Sequence, residues 1–130
     1  MVPALVMTHG GIADELVRVT EMILGPVEGL TAMSNKGKSA ETLTGEVKEW
    51  LASGAEAGSG RMILLDDYGG SCATSAQLAS GGDPSVAIIS GVNLAMLLGF
   101  VTWRDNTEFA ELPARLVQKG REAIVLVGGR

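Results

Sequence analysis

Apolar runs of strand length alternate with helix-length segments along the whole of this 130-residue chain. The runs are residues 3–8 (Pro3-Ala4-Leu5-Val6-Met7-Thr8), Gly29 to Met33, Met62-Ile63-Leu64-Leu65, Ser85 to Ile89 and Ala123-Ile124-Val125-Leu126-Val127. Between them, Ile12 to Leu24 carries Ile12, Leu16, Val19 and Ile23 at helical spacing. Ala40 to about Leu51, Ser71 to Ala79 and Leu94 to about Val101 also read as helices. So does Thr107 to Lys119, with Phe109, Leu112, Leu116 and Val117 as its apolar face. A helix between successive strands calls for parallel pairing by right-handed crossovers, and short apolar strands call for cover on both sides. The expected fold is therefore α/β: a doubly wound, mainly parallel sheet of about four strands with helices on both faces. Residues 123–127 would add a last strand at its edge.

Local signals agree with these elements. Asp14 and Glu15 sit in the first turn of the first helix, where they suit its dipole, and Gly25-Pro26 stops it. Ser39 has the chemistry of an N-cap for the second helix. The stretch from Ser53 to Gly60 reads as a flexible connector too short to separate a pair of domains, so residues 1–130 are expected to form one domain. No charged residue occurs from Pro84 to Trp103, which is long enough to raise the question of a membrane span. The cluster Ser90-Gly91-Val92-Asn93 divides it into a strand, a loop and a helix, which is the preferred interpretation.

Composition narrows the function classes. Apolar residues make up 46% of the chain, enough for a packed core. A net charge of −5 argues against nucleic acid as a partner. One cysteine rules out an internal disulfide framework and fits a cytoplasmic location, and no secretory signal is evident at the start.

The chain contains one histidine, His9, and it closes the first apolar run just before Gly10-Gly11. In an open α/β sheet, ligands bind beyond the carboxyl ends of the strands. If strands one and three are neighbours, His9 lies beside Asp66-Asp67. A carboxylate that accepts from one ring nitrogen fixes the tautomer and leaves the other nitrogen as a nucleophile. Asp66 is the better candidate because it directly extends the strand, and a capping role is the default for one of the two aspartates. Gly69-Gly70-Ser71 would let the backbone approach an anion at a helix N-terminus. It lacks the spacing of a nucleotide-binding glycine loop. Asn93, after the fourth strand, is expected to cap the helix that follows. Cys72 stands at a helix start, where mild acidification is expected. One His and one Cys argue against a metal site, and no cofactor is expected.

Three segments resemble one known family. Val6-Met7-Thr8-His9-Gly10 is similar to the phosphorylation segment of the mannose-type IIA domains of the bacterial phosphotransferase system. Leu65-Asp66-Asp67-Tyr68-Gly69-Gly70-Ser71 resembles the family's strand-three motif, and Gly91-Val92-Asn93-Leu94-Ala95-Met96-Leu97 its Gly-Val-Asn-Leu-Pro-Met-Leu segment. The resemblance implies a cytoplasmic phosphocarrier. His9 would accept a phosphoryl group from HPr and pass it to a IIB component that serves a sugar permease, the one link to a membrane. It assigns Asp66 to orienting His9, and Gly10, Gly69, Gly70 and Ser71 to the phosphoryl site, with Thr8 and Asn93 supporting the loops. It also implies a homodimer in which residues 123–127 are exchanged. The chain departs from the family at Cys72 and Ala95, where proline is usual, and at Thr74, where asparagine is usual. Since the sequence ends at Arg130, no fused IIB domain is expected. Two alternatives stand beside this reading. One is a regulatory module switched by phosphorylation of His9. The other is a flavodoxin-like binder of flavin or nucleotide.

Overall fold

The computed structural model describes residues 1–53 and 59–129, so most of the connector expected at residues 53–60 lies outside the described residues. Nine elements follow one another: β1 (Ala4–Thr8), α1 (Ile12–Leu24), β2 (Leu30–Ser34), α2 (Ala40–Ala52), β3 (Arg61–Leu65), α3 (Ser71–Ser80), β4 (Val86–Ser90), α4 (Leu94–Trp103) and α5 (Leu112–Glu122). The strands form one sheet in the order β2-β1-β3-β4, and every pairing is parallel. Strands one and three are neighbours, which brings the segments carrying His9 and Asp66 to the same edge.

Alternation of side chains across the sheet builds two cores. Ala4 and Val6 of β1 and Met62 and Leu64 of β3 face one side. There they join Ala13, Met96, Leu97, Phe100, Leu112 and Leu116 from α1, α4 and α5. Leu5, Met7, Ile63 and Leu65 face the other, against Leu43 and Val47 of α2 and Cys72, Ala73 and Ala76 of α3. All five residues of β1 are buried, which explains why its sequence has no polar alternation. The charge-free stretch resolves into β4, a turn at Gly91 and α4, and no described helix is long and apolar enough to cross a membrane.

Both expected helix caps on the polar loops are present. Ser39 Oγ accepts from the Thr42 N–H, and Asn93 Oδ1 accepts from the Met96 N–H at 3.0 Å. Asn93 Nδ2 also donates to Gly120 O at 2.9 Å, which ties α4 to α5.

The helix expected over Ile12 to Leu24 is present, with Ala13 and Thr20 fully buried and Leu16 packed against the core, while Ile12 and Ile23 are 48% and 54% exposed. Small side chains let the helix approach the sheet closely, and the Thr20 hydroxyl is satisfied by donating to Leu16 O at 2.7 Å. The last helix starts at Leu112 rather than Thr107, with Pro113 in its first turn, where a missing N–H costs nothing. Residues 123–127 do not form a fifth strand. They follow α5 unpaired among the described residues, and Ile124, Val125, Leu126 and Val127 are 67–95% exposed. A strand pattern is realised only where a sheet edge receives it.

Candidate functional site

The register explains the site. Met7 pairs with Leu65, so β1 runs one residue beyond β3, and His9 and Asp66 follow the two strands at the same end of the sheet. Asp66 Oδ2 accepts two hydrogen bonds from His9: from the backbone N–H at 3.1 Å and from ring Nδ1 at 3.0 Å. The backbone bond fixes where the carboxylate sits, and the ring bond sets the proton on Nδ1. Nε2 is thereby left with its lone pair, on a side chain that is 44% exposed. Asp67, the other candidate, is exposed.

Burial pushes the Asp66 carboxyl up, but the hydrogen bonds and charge of His9 outweigh it and hold its pKa below the ordinary value of 3.8. The folded protein therefore gains stability from this carboxylate above about pH 3.8, and loses it as pH falls through the lowered value. Oδ1 is buried without a hydrogen-bond partner among the described residues, and both bonds of the carboxylate with His9 are made by Oδ2.

The glycines contribute space. A Cβ on Gly70 would lie 2.8 Å from His9 Cε1 and 2.9 Å from Nε2, so only glycine lets this backbone meet the ring. Gly69 has no such neighbour. Gly70 precedes α3 with no side-chain cap, which leaves the first N–H groups of the helix beside the His9 ring, where an anion would be favoured. Ser71 opens that helix. Gly10, at φ +54, makes the turn that carries the histidine away from β1. Thr8 is fully buried, and its hydroxyl accepts from the Ala13 N–H at 2.7 Å and donates to His9 O at 3.3 Å. Asn93 is engaged in capping α4, at the loop after β4.

Asn35 joins the site although nothing in its own segment, a polar loop after β2, marks it as a site residue. Its backbone N–H donates to Thr8 O at 3.2 Å. Its side-chain Oδ1 accepts from the Gly10 N–H at 3.3 Å, and its Nδ2 donates to Ser71 Oγ at 3.4 Å. The available signal is topological: β2 flanks β1, so its carboxyl-end loop must border the same edge.

Cys72 overturns the expected acidification. Its side chain is fully buried, and burial together with the charge of Asp66 pushes the thiol up, against a smaller opposing effect of Lys38. His9, Asp66 and Cys72 have ligand atoms within 4.8 Å of one another. Nδ1 and Oδ2 are already bonded to each other and the thiol is held protonated, so the arrangement acts first as an oriented histidine.

This is an open parallel α/β domain that presents a carboxylate-held histidine against a glycine turn and a helix N-terminus, an arrangement suited to an anion. The chain belongs to the EIIA-man family, the PTS system fructose IIA component, whose model matches residues 4–117. It is 34% identical over 119 residues to the PTS system mannose-specific EIIAB component of Escherichia coli (strain K12), covering 90% of this chain. The chain spans 36% of the length of that relative. Among solved structures it resembles the mannose/sorbose specific IIA subunit of the phosphotransferase system from Enterococcus faecalis. That match has 27% identity and a TM-score of 0.82, covering 100% of this chain and 98% of the other. The phosphotransferase system component EIIA from Streptococcus agalactiae has the same fold, with a TM-score of 0.86 at 22% identity and 96% of each chain covered.

Proposed function

We propose that this domain is a phosphocarrier of the sugar phosphotransferase system, with His9 as the residue that is phosphorylated. The observation that carries the reading is the 3.0 Å bond between Nδ1 and Asp66 Oδ2, which frees Nε2 on a part-exposed ring. In the reaction, the Nε2 lone pair attacks phosphorus while the bond from phosphorus to the donor breaks, and the electron pair of that bond stays with the donor. The ring gains positive charge as the new N–P bond forms, and the Asp66 carboxylate stabilises it. The Nδ1 proton remains between ring and carboxylate. The N-terminal turn of α3 faces the negative phosphoryl oxygens. Transfer onward is the same step reversed, with the acceptor attacking phosphorus and the pair returning to Nε2.

In this reading the donor is HPr and the acceptor is a IIB component, and the domain works in the cytoplasm as a homodimer. Support for docking comes from a mostly apolar groove that begins at Gly11, two residues after His9, and is lined by Gly11, Ile12, Glu15, Leu16, Val19 and Leu94. Exposed apolar surface next to a reacting group suits a transient protein partner. The exposed apolar residues at 124–127 supply a segment that a second copy of the chain could receive.

The test is reconstitution. With phosphoenolpyruvate, enzyme I and HPr, the protein is expected to gain the mass of one phosphoryl group and then to lose it to a IIB component. No gain in mass contradicts the reading. Gain without transfer to any IIB component favours a regulatory module.

A further inference from the structure

The hydrogen-bonding pattern of Asn35 is directional. A backbone N–H can only donate, so the Gly10 bond requires that Oδ1 faces Gly10. The amide NH2 must then face Ser71, and Ser71 Oγ accepts from it. A hydroxyl oxygen engaged as an acceptor keeps its own proton to donate elsewhere. Ser71 stands at the start of α3, next to the glycine that touches the His9 ring, and is exposed.

We propose that Asn35 is a positioning residue for the phosphoryl group. It orients the Ser71 hydroxyl proton toward a phosphoryl oxygen on His9 Nε2, while its other end pins the Gly10 turn behind the histidine. The proposal rests on the phosphocarrier reading and adds to it a residue from the end of β2, which brings three strand ends to bear on one group. Asn35 acts through Ser71 and Gly10 and forms no bond to phosphorus.

Asn35→Asp is the informative variant because it keeps the shape and an acceptor for Gly10. A carboxylate at this position accepts only, so it draws the Ser71 hydroxyl proton to itself and away from the phosphoryl group. Phosphorylation rates are measured for the wild type, Asn35→Asp, Ser71→Ala and the double variant, across a range of phospho-HPr concentrations. In the wild-type background, Asn35→Asp is expected to lower the maximal rate about tenfold with KM changed less than about twofold, as fits one hydrogen bond to a charged transition state. In the Ser71→Ala background, the same change is expected to cost less than about threefold, because the hydroxyl it misdirects is gone. Equal factors in both backgrounds, or no effect in the first, overturn the proposal while leaving the phosphocarrier reading intact. Failure of the wild type to take up phosphoryl overturns both. Circular dichroism of each variant, with Asn35→Gln as a second substitution, separates a folding defect from a rate defect. Asn35→Gln retains the amide but misplaces it and is expected to lower the maximal rate in the same direction.

Discussion

Phosphoryl uptake is expected to fall to background when His9 is replaced by alanine, with the fold retained. The side chain is part-exposed at the end of β1, and its partners hold it in place without burying it in either core. Its removal therefore leaves packing intact and deletes the nucleophile. No other described residue can substitute. The next candidate, Cys72, is fully buried with its thiol pushed up, and Ser71 has no general base to activate it. Mass spectrometry after incubation with phosphoenolpyruvate, enzyme I and HPr gives the check. A labelled His9→Ala protein would place the chemistry elsewhere.

The second large effect is expected at Asp66. Asp66→Asn keeps an oxygen that can accept from the His9 backbone and from Nδ1, so the turn survives. What it removes is the negative charge facing the imidazole as it becomes cationic. Catalytic groups that handle this proton and charge contribute about 10²–10⁴-fold, and a fall of about 10²-fold in phosphorylation rate is expected. Asp67→Asn, at an exposed position off the ring, is expected to stay within about threefold of the wild type. Stopped-flow or quench measurements on the two variants decide between the aspartates. Comparable losses in both would mean that general acidity of the loop matters rather than the contact at 3.0 Å.

Much of this arrangement is legible in the chain, because its determinants are local. β1 and β3 are apolar apart from Thr8 at the end of one and Arg61 at the start of the other, and the residues that follow them form the candidate site. The glycine turns and the caps at Ser39 and Asn93 have short-range chemical causes, so they too can be read. What escapes depends on contacts across the fold. The buried face of α1 is hidden in the sequence because Ala13 and Thr20 look unremarkable as core residues until the helix is packed onto the sheet. Thr107 to Glu111 carries helix-compatible residues, but Pro113 sets the first turn. Residues 123–127 have a strand's composition and pair with no strand among the described residues. The thiol of Cys72 follows the charge of Asp66 and its own burial rather than the helix start it occupies. Asn35 comes from a loop whose relation to His9 exists only through the pairing of β1 with β2.

The mechanism depends on which nitrogen of His9 is free to react. Long-range ¹H–¹⁵N correlation of ¹⁵N-labelled protein, recorded before and after phosphorylation, measures it. The geometry predicts that Nδ1 carries the proton throughout and that the phosphoryl group appears on Nε2. A phosphoryl group on Nδ1 would contradict this mechanism, since that nitrogen could react only by giving up its bond to Asp66.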